Sequence, residues 1–147
     1  MTNNAAMTRH EVRGCAFLIL FEMTFREDET AEEMYSLAEE VQELTVTDAV
    51  RAMVEGVLLH KDALDEIIAK YSTKRSIARL PKLNLTILRL ALFEILYDDT
   101  MPDNAAISEA VTLAGAYTYQ EDTAFINGVL GAYMRENRTS EEAEENA

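Results

Sequence analysis

The segment "LNLTILRLALFEILY" (residues 83–97) carries Leu83, Leu85, Ile87, Leu88, Leu90, Leu92 and Ile95. Wound at 3.6 residues per turn, these side chains face almost every direction. The spacing therefore predicts a helix covered on all sides by other elements. Pro81 breaks the chain just ahead of it. After it, "DDTMPDN" (residues 98–104) reads as a turn, with Asp103 or Asn104 as N-cap of a helix over 105–117. Thr118 and Glu121 have the spacing of a capping box. They open a last helix bearing Phe125, Ile126, Val129, Leu130 and Tyr133.

Upstream of the central segment the period is also helical. Residues 9–26 form a first helix with Val12, Ala16, Ile19, Leu20 and Met23 on one stripe, widened by Phe17 and Phe21. Gly14 interrupts it at a cost of about 1 kcal/mol relative to Ala, a hint of close approach. Arg9 and Arg13 stand four apart and are expected on one face, with His10 beside them. "TAEE" (residues 30–33) is a capping box for a second helix through Met34, Leu37, Val41 and Leu44. A third is expected from Asp48 to Tyr71. No window reads as strand. The expected architecture is all-α: a compact bundle of six or seven helices in two packed three-helix subdomains, about 8–72 and 79–136. Residues 137–147, "NRTSEEAEENA", are polar and acidic and have the composition of a disordered tail.

The 147 residues include 27 acidic and 13 basic ones, for a formal charge of -14. Such a balance repels phosphates at long range, but the charge is not evenly spread. Residues 27–66 carry a net -11 and residues 94–147 a net -10. Between them, residues 67–93 hold Lys70, Lys74, Arg75, Arg79, Lys82 and Arg89 and no acid at all. Screening limits each charge to about 8–10 Å, so a local basic patch can bind phosphate despite the total. The alternative is a solvated face that pairs with the acidic helices.

Several classes of chemistry have no motif here. There is no phosphate-cradling GxxxxGK[ST] or GxGxxG loop. His10 and His60 lack metal-ligand spacing to each other or to Cys15, the single cysteine. Cys15 reads as a small core residue without a base partner, and a lone cysteine forms no disulfide framework. Glu94, inside the central helix, is a buried carboxylate expected to be held by a structural partner. No catalytic residue, cofactor or metal is expected, and the chain does not read as an enzyme. The longest apolar run, "CAFLILF" (residues 15–21), is far short of the roughly 20 residues of a membrane span. The opening residues lack the order of a secretory signal, so a cytoplasmic location is expected.

The order of several segments resembles the NusB family of bacterial transcription antitermination factors. "RLPKLNLTILRLALFEI" (residues 79–95), "MP" (101–102), "AISEAVTLA" (106–114) and "FINGVL" (125–130) follow one another as they do there. The resemblance spans residues 9–135. It implies two three-helix bundles that bind the boxA element of nascent ribosomal RNA. The small-subunit ribosomal protein called NusE in this role, and the RNA polymerase antitermination complex, are the implied partners. The family's first helix carries an arginine-rich motif of the shape R-R-x-x-R; here the positions read Arg9, His10, Glu11, Val12 and Arg13. Tyr71 falls on the family's RNA-contacting tyrosine, where a ring can stack on a splayed base. Lys70, Lys74, Arg75 and Arg79 lie near it in the chain and are read as compensating for the thinned motif. The resemblance puts the ribosomal-protein surface around Asn84, Arg89 and Glu121. Ser108 stands where an Asn is usual, and Asn127 is expected to bond backbone at a helix contact.

A second reading is an interaction module of the same fold, docking a partner or forming a homodimer, with little RNA affinity. Two further readings are weaker. A methyltransferase's helical extension needs a catalytic domain with a cofactor loop, and a free-standing enzyme needs a site. The acidic tail is a plausible competitor for the basic face.

Overall fold

The structure, a computed structural model, describes residues 7–72 and 76–137. Among these residues seven α-helices follow one another: α1 (Arg9–Met23), α2 (Ala31–Glu40), α3 (Asp48–Leu59), α4 (Lys61–Tyr71), α5 (Lys82–Tyr97), α6 (Asp103–Tyr117) and α7 (Gln120–Asn137). A single 3-10 turn (Ile77–Arg79) precedes α5. Among the described residues there is no strand. The chain packs as two units, one running to Lys61 and one beginning at Asp62.

In the first unit α1 packs on α2 and α3. Its core holds Phe17, Ile19, Met34, Tyr35, Val50 and Val54. Each helix starts at a threonine whose hydroxyl accepts from a free first-turn amide: Thr8 from Glu11 N–H, Thr30 from Glu33 N–H, and Thr47 from Val50 N–H. The first two are full capping boxes, with Glu11 accepting from Thr8 N–H at 2.8 Å and Glu33 from Thr30 N–H at 2.7 Å. Across the α2–α3 contact the Tyr35 hydroxyl donates to Glu55 Oε2 at 2.8 Å. The Arg51 guanidinium lies 4.5 Å over the Tyr35 ring and donates to Glu32.

In the second unit α5 packs on α6 and α7, and α6 on α7. As its sequence predicts, α5 is buried nearly all round, with Leu88, Leu92 and Glu94 fully enclosed. Pro81 stands at its N-cap position, where a missing N–H costs nothing because that amide would have no helical partner. Small residues on the facing stripe of α6, Ala106, Ala110 and Ala114, are buried, which lets helices approach closely.

Five local expectations need correction. Helix α6 begins at Asp103 with Pro102 at its N-cap position and no side-chain cap, so neither Asp103 nor Asn104 caps it. The expected 48–71 helix is two helices: at His60 the backbone turns to φ -101°, ψ 10°, and α4 begins anew at Lys61. The Thr118–Glu121 capping box does not form, because Thr118 caps the C-terminus of α6 and its hydroxyl donates to Asp122. A Cβ on Gly14 would meet nothing within 4 Å, so no close approach calls for glycine there. Asn127 is exposed on α7 rather than held at a helix contact.

Candidate nucleic-acid interface

The end of α4 brings two of the expected RNA residues into one cluster. Lys70 Nζ lies 5.3 Å from the centroid of the Tyr71 ring. The ring is half-buried and meets the Tyr133 ring edge-on, with centroids 5.9 Å apart at 88°. Asn137 Nδ2 donates to the Tyr71 hydroxyl at 2.8 Å and to the Tyr133 carbonyl at 2.9 Å. Glu136 Oε1 accepts from Lys70 Nζ at 2.7 Å. That hydrogen bond raises the Lys70 ammonium above its ordinary range and lowers the Glu136 carboxyl below its own. Helix α4 ends at Tyr71, so its last turn presents a cation and an aromatic ring side by side. These are the two elements a single-stranded RNA platform requires.

The other expected residues are distributed differently. Arg9 and His10 are exposed on the first turn of α1, in the first unit. Arg13 does not share that surface. Only 3 % of it is exposed, since it falls beside Val12 and one turn before Ala16 and Phe17 on the buried side of α1. Glu11 is already engaged by the Thr8 cap, which lowers its carboxyl below the ordinary range. Arg79 is exposed on the 3-10 turn, and Lys74 and Arg75 lie outside the described residues.

Two of the expected partner contacts are built into the second unit instead of its surface. Asn84 is fully buried and donates to Asp122 Oδ1 at 2.9 Å. Arg89 grips Asp65 with both arms, Nε to Oδ1 at 2.7 Å and Nη2 to Oδ2 at 2.8 Å. Glu121, next to Asp122, remains exposed. The roles of Glu136, Asn137 and Asp65 have no signal in the sequence, because each partner lies many residues away. The role of Glu11 does have one: Thr8-x-x-Glu11 is a capping-box spacing.

Among the described residues no group of three or more His, Cys, Asp or Glu side chains is placed to hold a metal ion. Nor is any helix long and apolar enough to cross a membrane. Burial raises the Cys15 thiol above its ordinary range, which disfavours the nucleophilic thiolate.

Among the described residues, then, the chain is helical, in two units, with a lysine–tyrosine pair closing α4. Residues 10–135 match the model of the NusB family. A transcription antitermination protein NusB from Oceanobacillus iheyensis is 39 % identical over 124 residues, covering 84 % of this chain and 96 % of that protein. The chain therefore belongs to the NusB family. The solved structure of T. maritima NusB superposes with a TM-score of 0.80 at 29 % identity, covering 95 % of this chain and 99 % of that one. A chain from the structure of antitermination factors NusB and NusE in complex with double-stranded RNA gives a TM-score of 0.75 at 27 % identity, covering 86 % and 96 %.

Proposed function

We propose that this chain is an RNA-binding transcription antitermination factor. It acts on a boxA-type element of nascent ribosomal RNA, together with the small-subunit ribosomal protein NusE, inside the cytoplasm. The observation that carries the proposal is the Lys70–Tyr71 pair at the end of α4, in a chain whose relatives bear the antitermination name. A related NusB is solved with NusE and RNA, which supports both partners. The mechanism is positional and needs no bond-making. A base stacks on the Tyr71 ring while Lys70 meets a neighbouring phosphate. Arg79, Arg9 and His10, with Lys74 and Arg75, are the further proposed phosphate contacts. Glu121 is the partner contact that the proposal keeps. Arg13, Asn84 and Arg89 act from within as structural supports.

Binding should weaken with salt. If about four phosphates are neutralised, the log–log slope for a single strand is about -3. Fluorescence anisotropy with a short boxA-type RNA across salt, with and without the ribosomal protein, tests this. Salt-sensitive binding strengthened by the partner supports the proposal, and no binding under either condition contradicts it.

A second reading has its own support. Lys70 and Arg89, two of the six cations in the acid-free block, are taken by Glu136 and Asp65, which lie outside it. That pairing favours an interaction module with little RNA affinity, and the same titration separates the two.

A further inference from the structure

Lys70 and Tyr71 do not stand alone. Both are held by the last turn of α7, which lies 66 positions further along the chain. We propose that this turn is part of the RNA site: Asn137 positions the Tyr71 ring, and Glu136 occupies the Lys70 ammonium until a phosphate replaces it. The inference rests on the RNA reading above and extends it to two residues that no motif marks.

Tyr71 is the final residue of α4. Its ring is held from α7 by the Tyr133 edge and by the Asn137 amide on the hydroxyl, which the Glu136 carboxylate also meets. Because the same amide donates to the Tyr133 carbonyl, it ties the ring to the α7 backbone rather than to a mobile side chain. A ring already held in place loses less conformational freedom when a base stacks on it.

Glu136 presents to Lys70 what an RNA phosphate would present: anionic oxygen at hydrogen-bond distance, 2.7 Å. The two side chains are 61 % and 54 % exposed, so a phosphate can reach the ammonium and displace the carboxylate into water. Exposed pairs of this kind contribute little and exchange readily. A phosphate that takes this donor must displace Glu136, and one that binds a neighbouring donor meets its negative charge, so Glu136 sets the affinity downward while Asn137 sets it upward.

The test is RNA affinity of the full chain, measured by anisotropy with a short boxA-type RNA in the presence of the ribosomal protein. Glu136→Gln should tighten binding about two- to fivefold, and Asn137→Ala should weaken it by about the same factor. Two backgrounds exclude general effects of charge or folding. In Lys70→Met, Glu136→Gln should change nothing further. In Tyr71→Phe, which has no hydroxyl to hold, Asn137→Ala should change nothing further. Suppose the wild type binds and Lys70→Met and Tyr71→Ala both weaken it, yet Glu136→Gln and Asn137→Ala leave affinity unchanged or act equally in both backgrounds. The inference is then overturned while the RNA reading stands. A wild type with no RNA affinity overturns the reading and the inference together.

Discussion

Asn84 and Asp122, 38 positions apart, share a 2.9 Å hydrogen bond that joins the first turn of α5 to the first turn of α7. The second Asp122 oxygen accepts from the Thr118 hydroxyl, also at 2.9 Å. Asn84 is fully buried, and its Oδ1 has no hydrogen-bond partner among the described residues. Asp122 is therefore the acceptor on which a buried amide depends. Asp122→Ala should cost about 2–3 kcal/mol, since it strands that amide. Thr118→Val, which removes only the half-buried hydroxyl, should cost about 1 kcal/mol. Urea unfolding followed by circular dichroism measures both, and equal losses would show that the Asn84 amide finds another partner.

The Arg89–Asp65 pair joins α4 to α5 with side chains only 13 % and 23 % exposed. Removing one partner leaves a largely desolvated charge, so Asp65→Ala and Arg89→Ala should each cost about 2–4 kcal/mol. The double variant should cost less than the sum, because neither charge is then left alone. Strict additivity in the denaturation midpoints would mean that the two groups do not interact.

In the first unit, burial and the bond to Glu55 push the Tyr35 hydroxyl well above the ordinary tyrosine range. The folded state thus keeps a proton that the unfolded chain loses near pH 10. The stabilising contribution is complete below about pH 10 and is lost as pH rises past it. Stability measured by urea titration should fall progressively as pH rises above about 10. Tyr35→Phe should be about 1 kcal/mol less stable at pH 7 but show a shallower alkaline decline. An unchanged alkaline slope in the variant would assign the decline to other groups.

How far these relationships are legible in the sequence depends on how far apart the partners lie. The burial of α5 follows from apolar side chains on all its sides, and the Thr30 cap from a three-residue spacing. Both are local signals. The break at His60 carries no Gly or Pro to announce it, and the apolar period runs through it from Val57 to Leu64. The Thr118–Glu121 spacing is that of a capping box, but Thr118 is used to end α6, and Asp122 takes its hydroxyl. Arg13 has the spacing of a partner to Arg9, yet the buried face of α1 begins between them at Val12. Lys70 and Tyr71 stand out in the sequence as a basic and an aromatic neighbour. Their partners Glu136 and Asn137 lie 66 positions away and come into view only once α7 is packed beside α4.

Cys15 offers a simple chemical check on the first unit. It is half-buried, and burial raises its thiol above the ordinary range, with the nearby Glu11 carboxylate adding to the effect. Since the thiolate is the reactive form, alkylation by iodoacetamide at pH 8 should be slower than for a free cysteine by about threefold or more. It should accelerate with pH beyond the usual inflection and become ordinary in urea. Fast alkylation of the folded protein at pH 8 would contradict the burial.

The most direct measurement is RNA affinity of the wild type and of Lys70→Met/Tyr71→Ala, by anisotropy with a short boxA-type RNA across salt and with the ribosomal protein present. The proposed function predicts salt-dependent binding by the wild type and a loss of about tenfold or more in the double variant. A base stack alone contributes about 1–3 kcal/mol. Equal affinity in the two proteins, or none in the wild type, would contradict an RNA site at the end of α4.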